Sequence, residues 1–158
     1  MTLDDFADWC QHTSIGASMR SVVWQHPTVE IIHYGGLILL FGPILIVNLR
    51  LLGVVLRRVP VPEVADGVAA WRRAGLTLLF LTGPLLFLSN AMKVFSGWFF
   101  AVKMALLVMA LILQFTWHRR ITSPAAGSVS GAKVKLVAIA SLALWTGVAV
   151  GGMAIELF

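Results

Sequence analysis

The chain has 158 residues, 59% hydrophobic and 12% charged, with a formal net charge of +5 and a mean hydropathy of +0.90. A soluble domain carries about 25% charged residues. Half that proportion excludes an ordinary water-soluble globule and a disordered tail, and the single cysteine, Cys10, excludes a disulfide scaffold. The length allows one domain, and the composition points to an all-α polytopic membrane protein.

Residues 1–26 read as an interfacial amphipathic helix. Thr2 can cap it with Asp5 at the capping-box position. Leu3, Phe6, Trp9 and Cys10 then recur at helical spacing. Such a helix would lie in the membrane interface or cover the mouth of a bundle. Asp4, Asp5 and Asp8 stand where a signal peptide needs basic residues, which argues against a cleaved leader.

Four apolar stretches follow. Ile31–Leu49, Ala74–Met92 and Leu136–Ile155 hold no Asp, Glu, Lys or Arg, and Gly97–Trp117 holds only Lys103 of these. A spanning helix needs about 20 mostly apolar residues. With their ends, the expected spans cover about 28–55, 68–91, 97–118 and 133–157. They form a four-helix transmembrane bundle with no stretch left for a separate soluble domain. Pro27 suits the first turn of span one, and Pro43 and Gly83–Pro84 are expected to kink spans one and two. Pro62 and Glu63 start a helix in the loop before span two, and Ser123–Ser130 is the most flexible linker. Gly35, Gly36, Gly42, Ala143, Gly147 and Gly151 offer small surfaces for helix packing.

The basic residues set the orientation. Nine of the twelve, Arg50, Arg57, Arg58, Arg72, Arg73, Arg119, Arg120, Lys133 and Lys135, fall in the two loops on one side. The positive-inside rule puts that side in the cytoplasm and both ends of the chain in the periplasm of a bacterial inner membrane. These charges sit in short loops against the membrane, where they contact anionic lipid, so the high isoelectric point does not indicate nucleic-acid binding.

Ionisable groups inside a span are functional candidates by default. His26, Glu30 and His33 share one helix face, with Gly36 one turn further in. Lys93 and Lys103 lie at the same side of the membrane, as does Met153 of span four. One reading is a b-type haem site. His33 would be the axial ligand, Gly36 would leave room for the macrocycle, Lys93 and Lys103 would pair with propionates, and Glu30 would orient the imidazole. His26 and His33 lie about 10 Å apart on one face and cannot both bind one iron. A second ligand would come from Met153, Met92, Met104, His12 or a histidine of another chain. A second reading is copper, held by His26 and His33 with Met92 or Met153. A third is that Glu30 and His33 only bond to neighbouring helices. His118 lies about 22 Å from Lys103 along span three, at the opposite side. It could face a quinone head group or a second haem beside Trp71, Arg72 and Asn48, or act as an interfacial anchor. The chain contains no phosphate-cradling GxxxxGK[ST], CxxC, HExxH or CxxCH. Hydrolytic and nucleotide chemistry are therefore not expected.

The run from Pro27 through Glu30, His33 and Gly36, followed by Asn48-Leu-Arg50-Leu-Leu-Gly53, resembles span one of small bacterial four-helix membrane proteins. Those are similar to the membrane part of copper-resistance D-type proteins and to di-haem b561-like cytochromes. Thr82-Gly83, Phe99 with Lys103, Trp117-His118 and Ser141-Leu-Ala-Leu-Trp145 extend the resemblance across the chain. It implies an outer histidine at His33 and an inner one at His118. Where the pattern has Gly-Arg late in span four, this chain has Gly151-Gly152. The expectation is a cytochrome b-like or anchor subunit, not itself catalytic. It would pass electrons between the quinone pool and a periplasmic redox protein, as an oligomer or with other membrane subunits. A copper-handling protein or a structural subunit are the alternatives.

Overall fold

The computed structural model describes residues 3–122 and 130–157. All secondary structure among them is helical: α1 (Leu3–Gln11), α2 (Ser14–Ser21), α3 (Gln25–Leu51), α4 (Val61–Gly67), α5 (Ala69–Ser89), α6 (Ala91–Ser96), α7 (Trp98–Leu113), a π-helical turn (Gln114–His118), α8 (Arg119–Thr122) and α9 (Gly131–Leu157). Three stretches are long and apolar enough to cross a membrane: Gln25–Leu51, Trp98–Thr122 and Gly131–Ile155. Their apolar side chains look outward as well as inward, with Ile31, Ile38, Val108 and Leu136 exposed. A surface of this kind suits lipid rather than water. The shorter α5 begins with Trp71, Arg72 and Arg73 in its first turn and is apolar beyond them.

The long helices pack as two pairs, α3 with α5 and α7 with α9, joined where α3 meets α9. The closest approach of α3 and α5 is made by two glycines. A Cβ on Gly75 would lie 2.5 Å from the Leu40 nitrogen and 2.7 Å from the Gly36 oxygen, so no larger residue fits. Leu40, Ile44, Ala110 and Trp145 form the central core, and Val47, Leu51, Val64, Ala65, Ile121 and Ala138 close the end that carries Arg50 (the arginine end). Asn48, fully buried, donates to Ile44 O at 2.8 Å and to Ser141 Oγ at 3.1 Å, which ties α3 to α9.

Helix α3 runs through Pro43 and stops at Leu51, short of the expected residue 55. Gly53 takes φ +75°, its N–H donates to Arg50 O, and the Val54 N–H donates to Leu49 O. That bonding closes the last carbonyls and turns the chain, and glycine adopts such a φ without strain. Arg50 then clamps the loop by donating from Nε to Val59 O at 2.8 Å and from Nη2 to Arg57 O at 3.3 Å. Arg50, one of the residues that set the expected orientation, thus also holds backbone.

The N-terminal segment departs from the expected single helix. Thr13 ends α1 and caps α2, with Oγ1 accepting from the Gly16 N–H at 3.2 Å, and the chain turns between them. The inward face of α1 also differs from the expected one. Ala7 and Cys10 are buried against Ala91, Phe87 and Leu88, whereas Phe6 and Trp9 stack on each other and stay exposed. Arg20 of α2 reaches Gln11 O at 2.6 Å and Ser89 O at 3.3 Å, which places a cation at the carbonyl end of α5. The proposed Thr2 cap and residues 123–129 of the linker lie outside the described residues.

Candidate functional site: a histidine–hydroxyl ladder

At the other end of the molecule (the histidine end), α3 and α5 are bridged by two rungs. His26 and His33 are seven residues apart on α3, and Thr82 and Ser89 are seven apart on α5. Seven residues is close to two helical turns, so each pair shares a face. Because the helices run antiparallel, His26 meets Ser89 and His33 meets Thr82. His26 Nδ1 lies 2.9 Å from Ser89 Oγ, and His33 Nδ1 lies 2.7 Å from Thr82 Oγ1.

The direction of each bond follows from counting protons. Thr82 Oγ1 donates its only hydrogen to Leu78 O at 2.7 Å, and Ser89 Oγ donates its own to Leu86 O at 2.7 Å. A hydroxyl oriented toward its own helix carbonyl accepts from the imidazole, an arrangement that suits the Nδ1–H tautomer. Thr82 and Ser89 are buried. The His33 ring also borders Gly83, where an added Cβ would stand 3.7 Å from Cε1.

The remaining candidates are arranged as follows. Glu30 sits on α3 between the two histidines and is half-buried. Gly36 faces α5: an added Cβ would lie 3.0 Å from Leu78 Cβ and 3.3 Å from Gly75 O. The space expected beside the imidazole for a flat ligand is filled there by helix packing. Lys103 of α7 lies across the α9 glycine pair, with its Cβ 3.4 Å from a Cβ added at Gly151 and its Nζ 3.2 Å from one added at Gly152. The positive charge that the Gly-Arg pattern would place on α9 is brought to that spot by α7. Lys93 of α6 is exposed.

The sulfur candidates Met92, Met104 and Met153 each keep at least 39% of their surface exposed, so none is buried beside His33. His12 Nδ1 lies 2.8 Å from Asp8 O within its own turn. The backbone of His118 closes the π-helical turn at the arginine end, while its side chain falls outside what the structure describes. The structure thus brings together His26, His33, Thr82, Ser89 and Gly83. Ser89 was not foreseen, and Thr82 entered only through the resemblance. The detectable signal was the matching spacing of seven in two neighbouring apolar helices. Among the described residues no three His, Cys, Asp or Glu side chains cluster as metal ligands, so any metal here rests on fewer protein donors of that kind.

A family profile matches residues 6–158, which takes in both rungs and the Lys103 contact. The chain belongs to DUF6644, a family of unknown function. No curated protein and no solved structure matches the chain. Membership of DUF6644 neither carries nor opposes the resemblance to copper-resistance D-type or b561-like proteins.

Proposed function

We propose that this DUF6644 member is a four-helix transmembrane bundle of α3, α5, α7 and α9 in a bacterial inner membrane. It serves as a b-type cytochrome-like or anchor subunit between the quinone pool and a periplasmic redox partner. The observation that supports the reading is the 2.7 Å contact between His33 Nδ1 and Thr82 Oγ1. A histidine that ligates iron or copper binds through a deprotonated nitrogen, and its other N–H is normally held by an acceptor. Thr82 would supply that acceptor to Nδ1, and the ligating nitrogen would be Nε2. Haem bound there would supply one-electron chemistry. Of this chain's residues, His33 would ligate the iron and Lys103 would offer a cation to a propionate.

The deciding experiment is the absorption spectrum of protein purified in detergent from haem-replete cells. The expected result is a Soret band that shifts on reduction and is lost in His33→Ala. No such band, with copper present in metal analysis and lost in the same variant, would favour copper. A structural subunit is a second reading, favoured by the filled space at Gly36 and by imidazoles that bond across helices. It predicts lower stability in His33→Ala with neither haem nor copper in the wild type.

A further inference from the structure

At the arginine end α3 and α9 stay in contact while α5 and α7 stand apart. Helices α5 and α7 meet near the histidine end through Phe87 and Phe100, whose ring centroids are 5.6 Å apart, and barely touch elsewhere among the described residues. The opening holds a cavity of about 580 Å³, within the range of small-molecule sites. Arg72 and Arg73 of α5 and Asp66 of α4 are its charged lining, so cationic charge exceeds anionic there. Leu40, Leu76, Leu111 and Phe115 supply apolar wall.

Two features of the wall bear on what this space can hold. Trp145 lines the cavity with only 2% of its surface exposed, and its indole nitrogen is closed off inside the core, so its contribution to the wall is apolar. The wall contributed by α7 is also where that helix changes to π geometry, at Gln114 and Phe115. Single π turns in α-helices are frequent at functional sites.

We infer that this cavity is a binding site for one anionic phospholipid, with its phosphate paired to Arg72 and Arg73 and an acyl chain leaving between α5 and α7. Basic pockets between transmembrane helices recognise such head groups, and the excess of guanidinium over carboxylate selects against a zwitterionic one. The site rests on the membrane placement above and is independent of any haem or copper.

The test uses delipidated full-length protein in detergent, titrated with phosphatidylglycerol or phosphatidylcholine of identical chains and read by native mass spectrometry. One phosphatidylglycerol per chain is expected, bound about tenfold more tightly than phosphatidylcholine. Arg72→Gln/Arg73→Gln should abolish the preference. Arg57→Gln/Arg58→Gln, at exposed loop positions outside the cavity, should change nothing. Should the double arginine variant not fold, Leu76→Trp fills the cavity with both arginines intact and should also lose the lipid. Equal binding of the two lipids overturns the inference, as does a preference that survives Leu76→Trp. Complete displacement by millimolar inorganic phosphate would overturn it too, since the site would then take free phosphate. The absorption spectrum of the same samples separates this outcome from that of the redox proposal.

Discussion

A hydroxyl has one proton to give, and Thr82 gives it to Leu78. Replacing Thr82 with Val keeps the shape and leaves the Nδ1–H of His33 facing a methyl group. Hydrogen bonds between helices in lipid average about 0.6 kcal/mol and reach about 1.7. Thr82→Val should therefore lower unfolding stability in detergent by about 1 kcal/mol, while Thr82→Ser should restore it. The sharper readout is ¹⁵N NMR of the imidazole. The wild type should show Nε2 unprotonated, and Thr82→Val should mix the tautomers. A mixed population in the wild type would remove the basis for a ligating Nε2. Lys103 allows a second test at this scale. Its ammonium already lies beside Gly152. If that charge serves the haem, Lys103→Met should lower haem content, and adding Gly152→Arg should recover it. Failure of the double variant to recover would mean that Lys103 matters for packing rather than for charge.

The spacing between helices is set by what stands at their crossings. Gly75 meets the backbone of α3, and backbone cannot swing aside as a flexible side chain can. Gly75→Ala should force α3 and α5 apart and destabilise by about 1–3 kcal/mol, the usual range for overpacking. Gly42→Ala, at a position with open space, should be neutral or slightly stabilising. Thermal unfolding of both variants in one detergent checks the contrast. The long helices were legible in the sequence because apolar runs bounded by arginines and turn residues report directly on length and hydropathy. The crossing was not. Gly36 in isolation is equally a gap for a cofactor or a seat for another helix, and only the position of Gly75 on α5 decides between them. The same holds for the rungs: helical periodicity puts His26 and His33 on one face but is silent about which residues of α5 stand opposite. The inward face of α1 was hidden for a different reason. Leu3, Phe6, Trp9 and Cys10 do recur helically, yet the small residues Ala7 and Cys10 allow the closer contact with Ala91, so they face inward and the aromatics do not.

For the molecule as a whole, the charge asymmetry and the ladder make one linked statement. Arg50, Arg57, Arg58, Arg72 and Arg73 gather at one end, and the His26 and His33 rungs lie at the other. Cytoplasmic loops retain Lys and Arg, so the ladder should open toward the periplasm. A membrane-impermeant thiol reagent tests this in intact cells. The native Cys10 is buried and gives little background. Val23, at the mouth of the ladder, is 90% exposed, and Arg58 lies in the exposed loop after α3. Val23→Cys should label in intact cells, and Arg58→Cys only after the cells are opened. The reverse pattern would turn the ladder toward the cytoplasm. Electrons from His33 could then no longer reach a periplasmic partner directly, whatever the spectrum showed. Labelling of both positions in intact cells would mean that α3 does not cross the membrane, and the proposed bundle would fail with it.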